Sequence, residues 1–203
     1  MTSKETSSRK HLDLKTGDAL VAVDVQNDFF SGGSLTVPGA EEILPVMNRY
    51  IEIFQSKGLP VYATRDWHPE RHCSFKSQGG PWPVHCVEGS KGAQFHPDLY
   101  LPDYVVVISA ATELDKEAYS GFEGTDLNER FLAAGIRRLL IGGLATDYCV
   151  LNTVKDALKY GYEVFLLIDA IRAVNVRPED GQNAIDEMTR MGAVPVVFNM
   201  LSE

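Results

Sequence analysis

Three groups of side chains have the type and spacing to do chemistry. The first centres on Cys149 in GGLATDYCV, where an apolar run passes into helix-like spacing. A thiol near a helix N-terminus meets partial positive charge and free backbone N–H groups, both of which stabilise a thiolate. The preceding turn, Gly142 to Thr146, could also aim N–H groups at a developing oxyanion. From position alone, a small buried hydrophobe beside Val150 is an equally good account of Cys149. Cys73 and Cys86 lack this setting and read as packing residues. The second group is Asp24, at the end of an apolar run and followed by VQNDFF. A carboxylate at a buried strand end needs a partner. It could take the proton of a thiol or close an Asx turn. Gln26, Asn27 and Asp28 read as residues that fix the loop. The third group is Asp66-x-His68, with His85 seventeen residues later in PWPVHC. Period-two alternation puts Asp66 and His68 on one side of an extended segment. Two imidazoles and a carboxylate form an open site for Zn²⁺ or Fe²⁺, and His72 could be a fourth ligand or an outer neighbour. A hydrogen-bonded pair of loop histidines is the competing account.

These groups need a scaffold. Six short apolar runs rich in β-branched residues read as strands: 19–25, 60–64, 104–109, 138–143, 163–169 and 194–199. Most are continuous rather than alternating, as strands buried on both faces should be. Between them, residues 40–57, 126–134 and 147–160, and a stretch beginning at Pro178, show apolar spacings of three and four with glycine stops. Strands alternating with helices predict an α/β fold, a three-layer α/β/α domain with a six-stranded, mainly parallel sheet. In such sheets ligands bind beyond the carboxyl ends of the strands, where all three groups fall. Residues 66–102 break the rhythm and hold five of the ten prolines together with Trp67, Phe75, Trp82 and Phe95. So long a stretch without periodicity in a compact domain reads as a binding loop.

The 203 residues suit one domain, 17–203, behind a polar tail, 1–16, that is expected to be disordered. A net charge of −9 argues against nucleic acid or an anionic membrane as partner. Neither a transmembrane run nor an apolar signal-peptide core is present. Three cysteines, an odd number in a chain of ordinary core size, suit reduced thiols in the cytoplasm better than a disulfide framework. Phosphate-binding glycine loops and a G-x-S-x-G elbow are also missing.

Taken in order, DVQNDFF, TRDWHP, PWPVHC, AYSGFEGTDL and GLATDYCV resemble the isochorismatase-like cysteine hydrolases, most closely their nicotinamidase branch. The resemblance covers about residues 17–200. It implies hydrolysis of nicotinamide to nicotinate and ammonia through a cysteine thioester, in NAD salvage. By it, Asp24 is the general base and Cys149 the nucleophile, while Ala145 and Cys149 supply the oxyanion-hole N–H groups. A cis peptide is expected between Leu144 and Ala145. Asp66, His68 and His85 would hold one divalent metal, Zn²⁺ first, with Fe²⁺ or Mn²⁺ as alternatives. Phe29, Trp82 and Tyr119 would line the substrate ring. Homo-oligomers are common in the family, although no interface is legible here.

The chain departs from this family at one position. Relatives carry a catalytic lysine at the end of the third strand, and here the stretch is SAATELDKEAYS, which puts Ala110 at that position, or Ala111 if the gap shifts by one. Lys116 comes only three residues before Tyr119, too late to replace it. A cation within about 4–6 Å favours an anion by roughly 1–3 pKa units. Its loss predicts a catalytically impaired lysine-to-alanine variant. The rival expectations are an amidase for N-carbamoyl or ureide substrates and a non-catalytic ligand-binding homologue.

Overall fold

The computed structural model describes residues 11–202. Its single sheet contains β1 (Asp18–Val23), β2 (Val61–Asp66), β3 (Val106–Ala110), β4 (Arg138–Leu144), β5 (Glu163–Arg172) and β6 (Val194–Val196). The order is β3-β2-β1-β4-β5-β6 and every pairing is parallel. All six expected strands form. The last is shorter than its apolar run, because the chain turns into a 3₁₀ segment at Phe198–Met200.

Alternate residues of the strands feed two cores. Leu20, Ala22, Leu140 and Leu167 meet α1 (Ile43–Ser56) on one face. Ala19, Val21, Val23, Leu139, Ile141 and Leu166 meet α2 (Leu127–Ala133), α3 (Leu151–Lys159) and α4 (Asp180–Met191) on the other. This is the expected three-layer arrangement, and continuous burial along β1 explains its unbroken apolar run.

Two boundaries differ from expectation. The tail predicted over 1–16 is ordered in its last residues: Leu12 is buried, bridges Leu201 and donates its N–H to Met200 O at 2.7 Å. Residues 1–10 lie outside the described part. Pro178 and Glu179 precede α4 instead of forming its first turn, because Glu179 adopts a left-handed φ of 76°. Among the described residues, no helix is long and apolar enough to cross a membrane.

The chain order reverses between β1 and β4, and that switch point opens a crevice past the strand ends. Gly143 pairs with Val23 there, and a Cβ on it would overlap the Val23 carbonyl. Its φ of 126° also disfavours any L side chain. Gly143→Ala is therefore expected to cost roughly 3 kcal/mol or more in urea denaturation. Unchanged stability would show that β1 and β4 can separate at their carboxyl ends.

Candidate active site

The crevice gathers the ends of β1, β2 and β4. Asp24 follows β1 in a left-handed conformation, φ 48°, which turns its carboxyl group inward. The group is buried at 4% exposure. Its Oδ1 accepts the Thr64 hydroxyl at 2.6 Å, and the buried Cys149 thiol stands beside it. One oxygen of Asp24, one of Asp66 and the Cys149 Sγ all lie within 4.8 Å of one another. Burial, followed by the neighbouring Asp66, pushes the Asp24 pKa up to about 8, against the opposing pull of the Thr64 hydroxyl and the Cys149 thiol. Burial, with Asp24 next, also pushes the Cys149 thiol well above its ordinary range.

Cys149 sits in a wide π-helical turn, Thr146–Val150, ahead of α3. Burial there works against a thiolate, and the neighbouring Asp24 adds to it. The Leu144–Ala145 bond is cis, as the resemblance implied. Asp147 holds the next loop by accepting N–H groups of Val174 and Asn175 at 2.9 and 2.8 Å.

Asp66, His68 and His85 form a second cluster, with one donor atom from each within 4.8 Å of the others. His68 and His85 Nε2 stand 3.6 and 3.9 Å from Asp66 Oδ2, too far for hydrogen bonds. Their Nδ1 atoms instead face the Ala111 and Pro83 carbonyls at 3.4 and 2.8 Å. Donation there leaves each Nε2 with a free lone pair, and the buried His68 Nε2 has no protein partner. Burial holds both imidazoles below their ordinary pKa, hence neutral. A neutral imidazole pair plus one carboxylate fits a divalent metal. His72 does not join them, because its Nδ1 meets Ser74 Oγ at 2.8 Å and its Nε2 meets Lys116 O at 3.0 Å.

Between the two clusters lies a pocket lined by the expected Phe29, Trp82, Tyr119, Ala145 and Cys149. Trp82 Nε1–H donates to the Tyr119 hydroxyl at 2.9 Å, which fixes both rings. Tyr148 packs edge-on to Trp82 with ring centroids 4.9 Å apart. The sequence reasoning missed Leu35, Glu117, Tyr148 and Val174 in this lining, and Thr64 behind Asp24. A hydroxyl inside a buried strand was the available signal for Thr64. Leu35 and Val174 come from irregular loops and gave none.

No lysine or arginine lines the pocket among the described residues. Ala110 is the register partner of Asp66 at the end of β3, buried and outside the lining. The Lys116 ammonium lies 3.2 Å from Glu113 on a half-exposed side chain, so it does not serve Asp24 and Cys149.

Fold and family together define an α/β/α hydrolase that acts on amide carbon–nitrogen bonds. A family profile for the isochorismatase domain matches residues 18–197, and the chain belongs to that family. It is 40% identical to the nicotinamidase of Escherichia coli (strain K12), over 86% of this chain and 92% of that one. Among solved structures it is similar to the zinc complex of Pyrococcus horikoshii pyrazinamidase, at 51% identity and a TM-score of 0.86, covering 90% of this chain and 99% of that one. PnC1 from L. infantum in complex with nicotinate is 37% identical with a TM-score of 0.85, covering 92% and 96%.

The raised Asp24 pKa has a consequence for stability. Raised from 3.8 to about 8, the group contributes fully below pH 3.8, and its contribution is lost as the pH rises through about 8. Asp24→Asn keeps an acceptor for Thr64 and removes that dependence. Its melting temperature relative to the parent, both treated with chelator, should climb between about pH 5 and pH 8 and level off above. A difference that stays constant with pH would refute the buried-acid description.

Proposed function

We propose that this protein hydrolyses nicotinamide to nicotinate and ammonia through a thioester on Cys149, and that Ala110 leaves it catalytically impaired. The observation that carries the reading is the buried Asp24–Cys149 pair, with carboxylate oxygen and Sγ within 4.8 Å, opening onto an aromatic pocket beside Asp66, His68 and His85. The names of its relatives point to the same substrate class. In the proposed cycle Asp24 takes the Cys149 proton, and the sulfur forms a bond to the carboxamide carbon. The N–H groups of Ala145 and Cys149 receive the developing oxyanion. The carbon–nitrogen bond breaks as Asp24 passes its proton to nitrogen, and ammonia departs. Water, deprotonated by Asp24, then attacks the thioester, and the thiol recovers its proton as nicotinate leaves.

A divalent metal held by Asp66, His68 and His85 supplies a Lewis acid at the pocket wall for the heterocyclic nitrogen and for water. Zinc is the first choice, the metal named with the Pyrococcus horikoshii pyrazinamidase. Phe29, Trp82 and Tyr119 suit a flat ring better than a polar ureide. The three free cysteines favour a cytoplasmic site of action, where the activity would serve NAD salvage.

The lack of a cation in the pocket lining favours a second reading, a homologue that binds the ligand without turning it over. Ammonia release from nicotinamide separates the two. Ala110→Lys in the zinc-loaded chain is expected to raise kcat/KM by about 10- to 1,000-fold, the equivalent of roughly 1–3 pKa units of anion stabilisation. Adding Cys149→Ser should abolish turnover. Equal rates for the parent and Ala110→Lys would refute impairment, and no ammonia from Ala110→Lys would refute the nicotinamidase reading.

A further inference from the structure

Asp66 lies two residues beyond the last rung that β1 offers to β2. Strand β1 ends at Val23, its register with β2 runs only to Ala22–Ala63, and the last bond across is Asp24 N–H to Thr64 O at 3.2 Å. The chain then turns away at Asp24, so the β1-facing peptide groups of Asp66 have no strand beside them. Gln26 fills that gap with its side chain. Its Oε1 accepts the Asp66 N–H at 2.8 Å, and its Nε2 donates to Asp66 O at 2.7 Å and to Ala93 O at 3.0 Å. Gln26 is fully buried, and its carboxamide behaves as one more peptide unit of the ladder.

Only a primary amide offers a donor and an acceptor in that plane. Glutamate could not donate to the two carbonyls, and asparagine is one methylene too short. The third bond ties the same amide to the far end of the 66–102 loop. Backbone bonds reinforce the tie, from Asn27 N–H to Gln94 O at 2.9 Å and from His96 N–H to Val25 O at 2.9 Å. On its other side Asp66 is held by β3, where Trp67 N–H donates to Ala110 O at 3.0 Å. The Asp66 backbone is therefore clamped from both sides, and on the β1 side a single side chain does it.

We infer that Gln26 is a positioning residue for the metal centre: it fixes the backbone of Asp66 and so sets the metal affinity of the Asp66–His68–His85 cluster without contacting the metal. The inference rests on the metal-site reading above. A group that only satisfied buried peptides would affect stability alone. A positioning group must also affect ligand geometry, because outer partners of metal ligands change affinity by about 10- to 100-fold.

The test is zinc titration against a chromophoric chelator, with melting temperatures measured alongside. The variants are Gln26→Met, Gln26→Asn and Asp66→Ala, and Tyr50→Phe serves as a stability control. Tyr50→Phe removes the Tyr50–Asp169 bond (2.9 Å) in the α1–β5 layer, remote from the cluster. Gln26→Met is expected to weaken zinc binding about 10- to 100-fold. Gln26→Asn gives the same reading if the methionine form does not fold. Tyr50→Phe should lower the melting temperature with zinc affinity unchanged. Parental affinity in a folded Gln26 variant overturns the inference, as does an equal loss in Tyr50→Phe. If the parent binds zinc and Asp66→Ala does not, the metal-site reading stands whichever way Gln26 falls. A parent that binds no zinc overturns that reading and the inference with it.

Discussion

Taking a carboxyl group and a thiol out of water together raises the proton affinity of both, and the arrangement around Asp24 and Cys149 answers to that constraint. The pair is buried, and its members lie within 4.8 Å of each other and of a second carboxylate, Asp66. Neither group ionises readily there, so charge on either one calls for a neighbouring positive group. Such a pair is poised as an acid and a nucleophile in reserve. A nearby cation would shift the balance toward the anion. The described part of the pocket provides none from lysine or arginine, which leaves the metal cluster as the place where positive charge can enter.

The scaffold turns that local chemistry into a site. The strand order reverses between β1 and β4, so Asp24 and Cys149 come from segments separated by more than a hundred residues yet meet at one crevice. Gly143 allows β1 and β4 to stay in contact up to the bend at Asp24. Asp28 then anchors the ligand loop from below, accepting the Cys86 N–H at 2.7 Å and the Ser34 N–H at 3.1 Å. Cys86 is thus held by its backbone, with a deeply buried thiol pushed up by burial, in keeping with a passive role.

Much of this was legible in the sequence because burial on both faces writes itself as continuous β-branched runs. All six strands are legible from that signal and the four helical stretches from apolar spacings of three and four, and the strand ends point to Asp24, Asp66, His68 and Cys149. What escaped depends on contacts without a period. His72 looks like a fourth ligand by spacing, but Ser74 and the Lys116 carbonyl occupy both its nitrogens. Cys149 looks activated by its place near a helix start, while the burial that raises its thiol pKa comes from contacts the sequence does not print. Gln26 was legible as a loop-fixing residue, while the peptide groups it satisfies belong to a strand forty positions away.

The account requires that Cys149, and no other thiol, carry the acyl group. The most direct measurement is peptide mass analysis of acid-quenched, zinc-loaded Ala110→Lys protein after brief mixing with nicotinamide. A nicotinoyl adduct on the peptide containing Cys149 is the result the account predicts. Ammonia released with no adduct there, or an adduct on Cys73 or Cys86 instead, would contradict it.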